Sequence, residues 1–197
     1  MSTNAYKGGM SLKTLICLLL CAVLLSGCAG KTDLSDRAIA LRSKLQAAEG
    51  CTFDAAVTAD YGDQTYTFAM GCRVDAHGNL YFTVKEPQSI SGITGVFDRS
   101  GGKLTFDNHM LAFPMLADGQ VTPVSAPWLL YKTLTGGYFH TAVQEGELLH
   151  LQIHDSYEDQ ALHLDIWLGE EDMPVRAEVL YQNRRILTLD VENFRIL

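Results

Sequence analysis

Positive charge is scarce in this sequence: 15 lysines and arginines stand against 23 aspartates and glutamates, for a formal charge of −8. An acidic chain repels nucleic acid and anionic headgroups, so neither is expected as a partner. Long apolar runs are missing too. The longest, residues 15–25, has about 11 residues where a membrane helix needs roughly 20. There is no Gly-x-Ser-x-Gly, no His-Glu-x-x-His and no phosphate loop. No nucleophile, zinc-protease or nucleotide chemistry is therefore signalled. Neither an enzyme nor a cofactor is expected. Internal repeats and low-complexity tracts are also lacking.

What is present begins at the N-terminus. Lys7 and Lys13 precede the apolar run, and the run ends in Leu25-Ser26-Gly27-Cys28. Charged, then apolar, then small is the order of a secretory signal. Its end resembles the lipobox of bacterial lipoproteins. Small side chains at Ser26 and Gly27 admit the backbone to a peptidase cleft, and the Cys28 thiol is the nucleophile that takes a diacylglycerol. The expectation is a signal peptide over 1–27, lipidation at Cys28, and a lipidated tether over 28–32. The alternative is an ordinary signal with an incidental cysteine. Met10 competes with Met1 as the start, because Met10-Ser11-Leu12-Lys13 opens a complete signal. Removal of 1–27 leaves 170 residues, and the charge falls from −8 to −10 as Lys7 and Lys13 go. That length suits one domain, 33–197. The expected location is the extracytoplasmic face of the bacterial cell membrane, with the lipid as the contact. In a Gram-negative cell, Ala29 in place of an aspartate directs sorting to the outer membrane.

Cys17 and Cys21 leave with the signal. Cys51 and Cys72 remain as an even pair in an oxidising compartment, which reads as one disulfide. Residues 33–49 read as an amphipathic helix, with Leu34, Ala38, Ile39, Leu41 and Leu45 on one stripe. Asp33 or Ser35 caps its start and Gly50 ends it. From residue 51 the apolar period becomes two. A loop over 60–63 would place Phe53 opposite Met70, Ala55 opposite Phe68, Val57 opposite Tyr66 and Cys51 opposite Cys72. The apolar faces and the cysteines choose that register together. A bridge there closes a loop of about 20 residues, worth about 3 kcal/mol in the chain-entropy model. The alternative is two free buried thiols.

Further strands are expected over 80–85, 90–97, 103–107, 109–115, 138–144, 148–154, 160–168, 175–181 and 185–196. Residues 125–134 read as a second helix, capped by Ser125, with Pro127 in its first turn and Gly136-Gly137 at its end. About ten or eleven strands at this spacing argue a mainly β fold with two or three helices.

The order of elements resembles the LolA/LolB superfamily of lipoprotein and lipid carriers: lipobox, tether, helix, hairpin meander, inserted helix, closing meander. The closing stretch, residues 174–196, looks like the final hairpin common there. The resemblance covers most of the mature chain through patterns, not catalytic signatures. It implies a single curled antiparallel sheet, an incomplete β-barrel of about 10–11 strands, with helices covering an apolar concave face. It also implies an apolar ligand, a lipid or acylated peptide.

One strand face carries Phe53, Phe68, Met70, Phe82, Leu151, Ile153, Leu164 and Ile166, and the second helix adds Trp128, Leu129 and Leu130. These side chains either line a ligand space or fill a packed core. On the opposite face, a turn at Ser156-Tyr157 would set His150 across from His163 with Asp165 diagonal. Imidazoles and a carboxylate on one face can ligate zinc, but solvated polar residues are the ordinary reading and no metal is expected. Two functions are consistent with these features. One is a monomeric, membrane-anchored lipoprotein holding an apolar envelope ligand. The other is a non-enzymatic structural or sensory lipoprotein that acts through protein contacts and has a packed core.

Overall fold

Strict alternation of apolar and polar residues builds the dominant element of the molecule, one sheet with a dry face and a wet face. The computed structural model describes residues 29–106, 109–113, 116–117, 120–156 and 162–197. The expected signal peptide, residues 1–27, and Cys28 lie outside the described residues. The chain divides into two units, residues 1–33 and 34–197, and the second carries every described strand. Among the described residues, no helix is long and apolar enough to cross a membrane.

Helix α1 (Ala29–Ala47) leads into the first meander, β1 (Gly50–Asp60), β2 (Thr65–Asp75), β3 (Leu80–Glu86), β4 (Thr94–Asp98), β5 (Gly101–Phe106) and β6 (His109–Phe113). A small hairpin follows, β7 (Leu116–Ala117) and β8 (Gln120–Val121), then a 3-10 turn (Pro123–Ser125) and helix α2 (Ala126–Gly136). The second meander is β9 (Tyr138–Glu145), β10 (Leu148–His154), β11 (His163–Leu168), β12 (Pro174–Tyr181) and β13 (Arg184–Ile196). Eleven strands form one antiparallel sheet in the order β6-β5-β4-β3-β2-β1-β13-β12-β11-β10-β9, not closed into a barrel. Each half is a run of neighbours in sequence. The two halves are joined where β1 pairs with β13.

The inner face of the sheet is apolar throughout. Phe53, Ala55 and Val57 of β1, Met70 of β2, Leu151 and Ile153 of β10, and Leu187 and Leu189 of β13 are all buried. Helix α1 covers part of that face with Ala38, Leu41 and Leu45, spaced three and four residues apart. Ile39 falls off the stripe and is exposed. The helix starts four residues before the expected Asp33, so residues 29–32 are helical where a tether was expected. Gly30 alone among them is a poor helix former, costing about 1 kcal/mol. The helix ends at Ala47, and Gly50 already belongs to β1 at φ 143°. A Cβ at Gly50 would lie 2.0 Å from the Val74 carbonyl oxygen, so the close approach of β1 to β2 admits only glycine there.

Helix α2 is buried by Ala126, Trp128, Leu129, Leu130 and Leu134. Ser125 precedes it as expected, but its hydroxyl donates to the Thr122 carbonyl at 2.6 Å within the 3-10 turn and caps no helical N–H. The expected strand over 90–97 begins only at Thr94. Residues 87–92 turn instead, and Val84 and Ile93 close that loop with Val84 N–H donating to the Ile93 carbonyl at 2.8 Å.

The first hairpin departs from the expected register by two residues. Its turn is at residues 61–64, where Tyr61 N–H donates to the Gln64 carbonyl at 3.0 Å and Gly62 takes φ 91°. Phe53 therefore faces Cys72, Ala55 faces Met70, Val57 faces Phe68, and Cys51 faces Val74. A shift of two leaves every side chain on its own face, so apolar alternation cannot distinguish the two registers. The disulfide reading is thereby corrected. Cys51 and Cys72 are diagonal neighbours and both are free, buried thiols. Diagonal positions lie about 7–8 Å apart, beyond the roughly 4.4–6.8 Å that a bridge spans. Burial pushes the Cys51 thiol up to about 12, and pushes Cys72 higher by burial first and the nearby Asp54 next. Thiolates are the reactive form. Reducing agent is accordingly expected to leave the melting temperature of residues 29–197 unchanged. Thiol titration with an aromatic disulfide reagent should find neither cysteine until denaturant is added. A melting point that falls on reduction would restore the bridge.

Candidate functional site

Most of the inner face is filled. Of the eleven side chains expected to line a ligand space or fill a core, Phe53, Met70, Phe82, Leu129, Leu130, Leu151, Ile153, Leu164 and Ile166 are no more than 3% exposed and pack within one core. The core forms because the two helices lie over the central and β10–β11 portion of the sheet. Phe68 and Trp128 are the two that also border enclosed space beneath the sheet's edge regions.

Phe68 lines an apolar pocket of about 380 Å³ together with Tyr61, Tyr66, Val84, Ile90, Ile93, Leu104, Pro123 and Val124. The volume lies within the roughly 300–1,000 Å³ of small-molecule pockets. Each wall follows from local structure. Tyr66 and Phe68 alternate on β2, Val84 is the matching inner position of β3, and Leu104 that of β5. Ile90 and Ile93 come from the turn after β3, and Pro123 and Val124 from the 3-10 turn before α2. Neither helix covers this end of the inner face. Tyr66 is 49% exposed and Ile90 37%, so aromatic and aliphatic surface stands at the rim. Tyr61 is held there by donating its hydroxyl to the Val121 carbonyl at 2.6 Å. Burial, and then Tyr66 nearby, raise its phenol above the ordinary value. No charged group lines the pocket. It can bury apolar surface, but it offers no acid, base or nucleophile.

Sequence reasoning pointed to Phe68 alone among these nine. Tyr61, Ile90, Ile93, Pro123 and Val124 lie in turns, where alternation gives no signal, while Tyr66, Val84 and Leu104 are inner strand positions that alternation does mark. Ile90 and Ile93 stood in an expected strand.

Trp128 borders a second cavity of about 650 Å³ with mixed chemistry: Phe97 and Trp128 on one side, Asp98, Arg99, Lys132 and Asp155 on the other. Trp128 stacks obliquely on Phe97 at 5.2 Å and donates its indole N–H to the Gly78 carbonyl at 3.1 Å. Thr133 also lines it and carries the one buried side-chain oxygen without a hydrogen-bond partner among the described residues. An unmet buried hydroxyl costs about 1–3 kcal/mol. Thr133→Val, which replaces it with a methyl group of similar shape, is expected to raise unfolding stability by about 1 kcal/mol in urea titration.

The wet face of β9–β12 holds the histidines, and the structure separates the trio considered for zinc. His150 and Asp165 do meet, through Nε2 and Oδ1 at 3.1 Å, and Glu145 Oε1 lies 2.9 Å from His150 Nδ1. His150 is opposite Trp167, not His163, and stacks on its indole at 4.6 Å. Trp167 N–H and His150 together hold the Glu145 carboxyl below its usual range. His163 instead pairs with His154, ring on ring at 4.0 Å, and His140 stacks on the other side at 5.0 Å. Among the described residues, no group of three His, Cys, Asp or Glu side chains has a metal-binding arrangement. The cause is again a register displaced by an even number, this time at the turn after β10.

The column His140–His154–His163 is an acid-sensitive feature. Desolvation first, then the neighbouring His163 and His140, lower the His154 pKa from 6.5, against opposing pulls from Asp155 and Asp165. A lowered folded value means that the unfolded chain takes the proton more readily between the two values. His154 therefore favours folding fully above about pH 6.5, and that contribution falls as pH drops through the window beneath it. His154→Gln is expected to flatten this part of the acid slope in urea unfolding measured on both sides of about pH 6.5.

No family model and no curated protein matches the sequence. Solved structures do match. One is an uncharacterized conserved protein from Thermus thermophilus, 13% identical, covering 84% of this chain and 86% of its own at a TM-score of 0.45. Another is a LolA superfamily protein from Nitrosomonas europaea, 9% identical, covering 81% and 93% at 0.42. A third is the lipoprotein LppX from Mycobacterium tuberculosis, 8% identical, covering 83% and 95% at 0.42.

Proposed function

We propose that this chain is a membrane-anchored envelope lipoprotein that holds one apolar ligand, the acyl chain of a lipid or an acylated peptide. The observation that carries this reading is the apolar pocket of about 380 Å³ left uncovered at one end of an otherwise filled sheet face. A domain that needed only a core has no use for a partly exposed cluster of Tyr61, Tyr66, Ile90 and Leu104. Burial of an acyl chain contributes about 0.8 kcal/mol per methylene, less the cost of immobilising it. The pocket offers no catalytic group, so the protein acts by binding. Lipidation at Cys28 would keep it on the extracytoplasmic face as a monomer, within a tether's length of the bilayer. Such a protein is a stationary holder or receptor and does not shuttle.

The filled remainder of the inner face favours the second reading, a structural or sensory lipoprotein, if the pocket stays empty. A fluorescent fatty acid separates them. Leu104→Trp and Ile93→Trp fill the pocket and are expected to weaken binding at least tenfold. Val143→Trp, at an exposed outer position, should leave it unchanged. Equal affinity in all three, or no binding by the wild type, sinks the carrier reading. Lipid retained through native mass spectrometry of the purified protein would support it.

A further inference from the structure

A further concavity lies on the wet face of the first meander. It measures about 860 Å³ and is lined by outward side chains of β13 and β1–β6. Strand register sets its composition. Arg195 is opposite Thr52, Thr52 opposite Arg73, Arg73 opposite Tyr81, Tyr81 opposite Val96, and Val96 opposite Lys103. These six residues form one row across six strands. At about 4.8 Å per strand, Arg195 and Arg73 stand about 10 Å apart, and Arg73 and Lys103 about 14 Å. The adjacent row supplies hydroxyls, with Thr83 opposite Thr94 and Thr94 opposite Thr105.

Three details shape the row. A bulge between Thr52 and Asp54 on β1 inserts Asn193, at φ 54°, into β13. The extra residue turns Arg195 outward beside Thr52 while Phe194 stacks inward on Phe53 at 5.3 Å. Gly71 leaves a gap in the second row, and Lys85 lies across it. Asp54 is the one carboxylate lining the groove, and it is already engaged by Lys85 at 2.5 Å and by the Asn193 amide at 3.1 Å.

Most described cations elsewhere are matched, Lys44 and Arg99 being isolated exceptions. Arg37 pairs with Asp172, Lys132 with Asp155, Arg176 and Arg185 with Glu178, and Arg184 with Asp60. Arg42 is spent on helix carbonyls. Arg73, Lys103 and Arg195 make no ion pair among the described residues, and Lys103 acts on Asp98 only through space. In a chain with a net charge of −8, three unmatched cations in one row are the reverse of a solvated background.

From this juxtaposition we propose that the groove binds an extended polyanion of the phosphodiester or polyphosphate type, lying across the strands along Arg195, Arg73 and Lys103. Separated point cations match a chain of separated charges, and the flanking threonine hydroxyls and Tyr81 donate to oxyanion oxygens. A flat anionic bilayer cannot follow a concave row and would meet the acidic remainder of the surface. The site is distinct from the apolar pocket and stands whether or not that pocket binds lipid.

The test uses labelled short-chain inorganic polyphosphate with residues 29–197, at several salt concentrations. Wild type should bind, at least tenfold more tightly than orthophosphate competes. Arg73→Gln, Lys103→Gln and Arg195→Gln together should lose at least tenfold, with the dependence on salt reduced by roughly one power per cation removed. Arg73→Lys should retain most of the affinity, and Arg184→Gln with Arg185→Gln, outside the groove, should retain all of it. All these positions are exposed, so unchanged melting temperatures are expected. The proposal is overturned if orthophosphate competes as well as the chain does, or if the Arg184/Arg185 variant loses as much as the groove variant. It is overturned equally if phosphatidylglycerol vesicles bind while polyphosphate does not.

Discussion

A strand shows alternate side chains to opposite sides, and the architecture of this protein depends on that parity. Eleven strands that each place large apolar residues on the same side create one dry face, and a dry face must be covered. Two helices supply the cover. They also hold each other: Arg42 of α1 donates to the Leu134 carbonyl at 2.7 Å and the Thr133 carbonyl at 3.3 Å, and Gln46 to the Thr135 carbonyl at 2.7 Å. Those carbonyls belong to the last turn of α2, where a helix leaves most carbonyls without helical partners, although the Thr133 carbonyl also accepts from Gly137 N–H at 2.8 Å. Arg42 also lies over the Phe139 ring at 3.9 Å, which ties the helix pair to the start of β9. One side chain thus links α1, the end of α2 and the second meander.

Coverage by two short helices is incomplete, and the incompleteness makes the candidate site. Where α1 and α2 lie, the inner face becomes a packed core, and most of the residues first considered as ligand contacts belong to it. Where they do not lie, turns and strand ends close a small apolar pocket with tyrosines at its mouth. The wet face has its own relief. It is flat and histidine-rich on the second meander, and concave and cationic on the first. The two candidate sites therefore lie on opposite faces, an apolar pocket on one side and a cationic groove on the other.

Parity also explains which expectations held. A mainly β chain, two helices in the expected places and the side of the sheet that each residue faces all follow from period and from helix punctuation, while the single open antiparallel sheet was what the resemblance implied. Phe53, Met70, Leu151 and Ile166 point inward as alternation requires. What parity cannot see is a displacement by an even number, two residues in the first hairpin and four at β10–β11. Cys51 and Cys72 occupy the expected face but not opposite positions, and His163 meets His154 where His150 was expected. Both errors arise at turns, because a turn moved along the chain shifts the pairing by an even number and leaves the alternation on either side unchanged.

Amino-acid order by itself determined the class of fold, the dry and wet faces, the helix that opens the domain and the acidic net charge. These are local properties, set by side-chain chemistry and spacings of two to four residues. Tertiary structure alone decided which residues are neighbours across strands. Arg73, Lys103 and Arg195 are far apart along the chain, and nothing in their surroundings marks them as a group. Hydrogen-bond register, together with one inserted residue at Asn193, places them in a single row. The apolar pocket has the same origin, since its walls come from three strands and three turns whose meeting depends on where the helices stop covering the sheet.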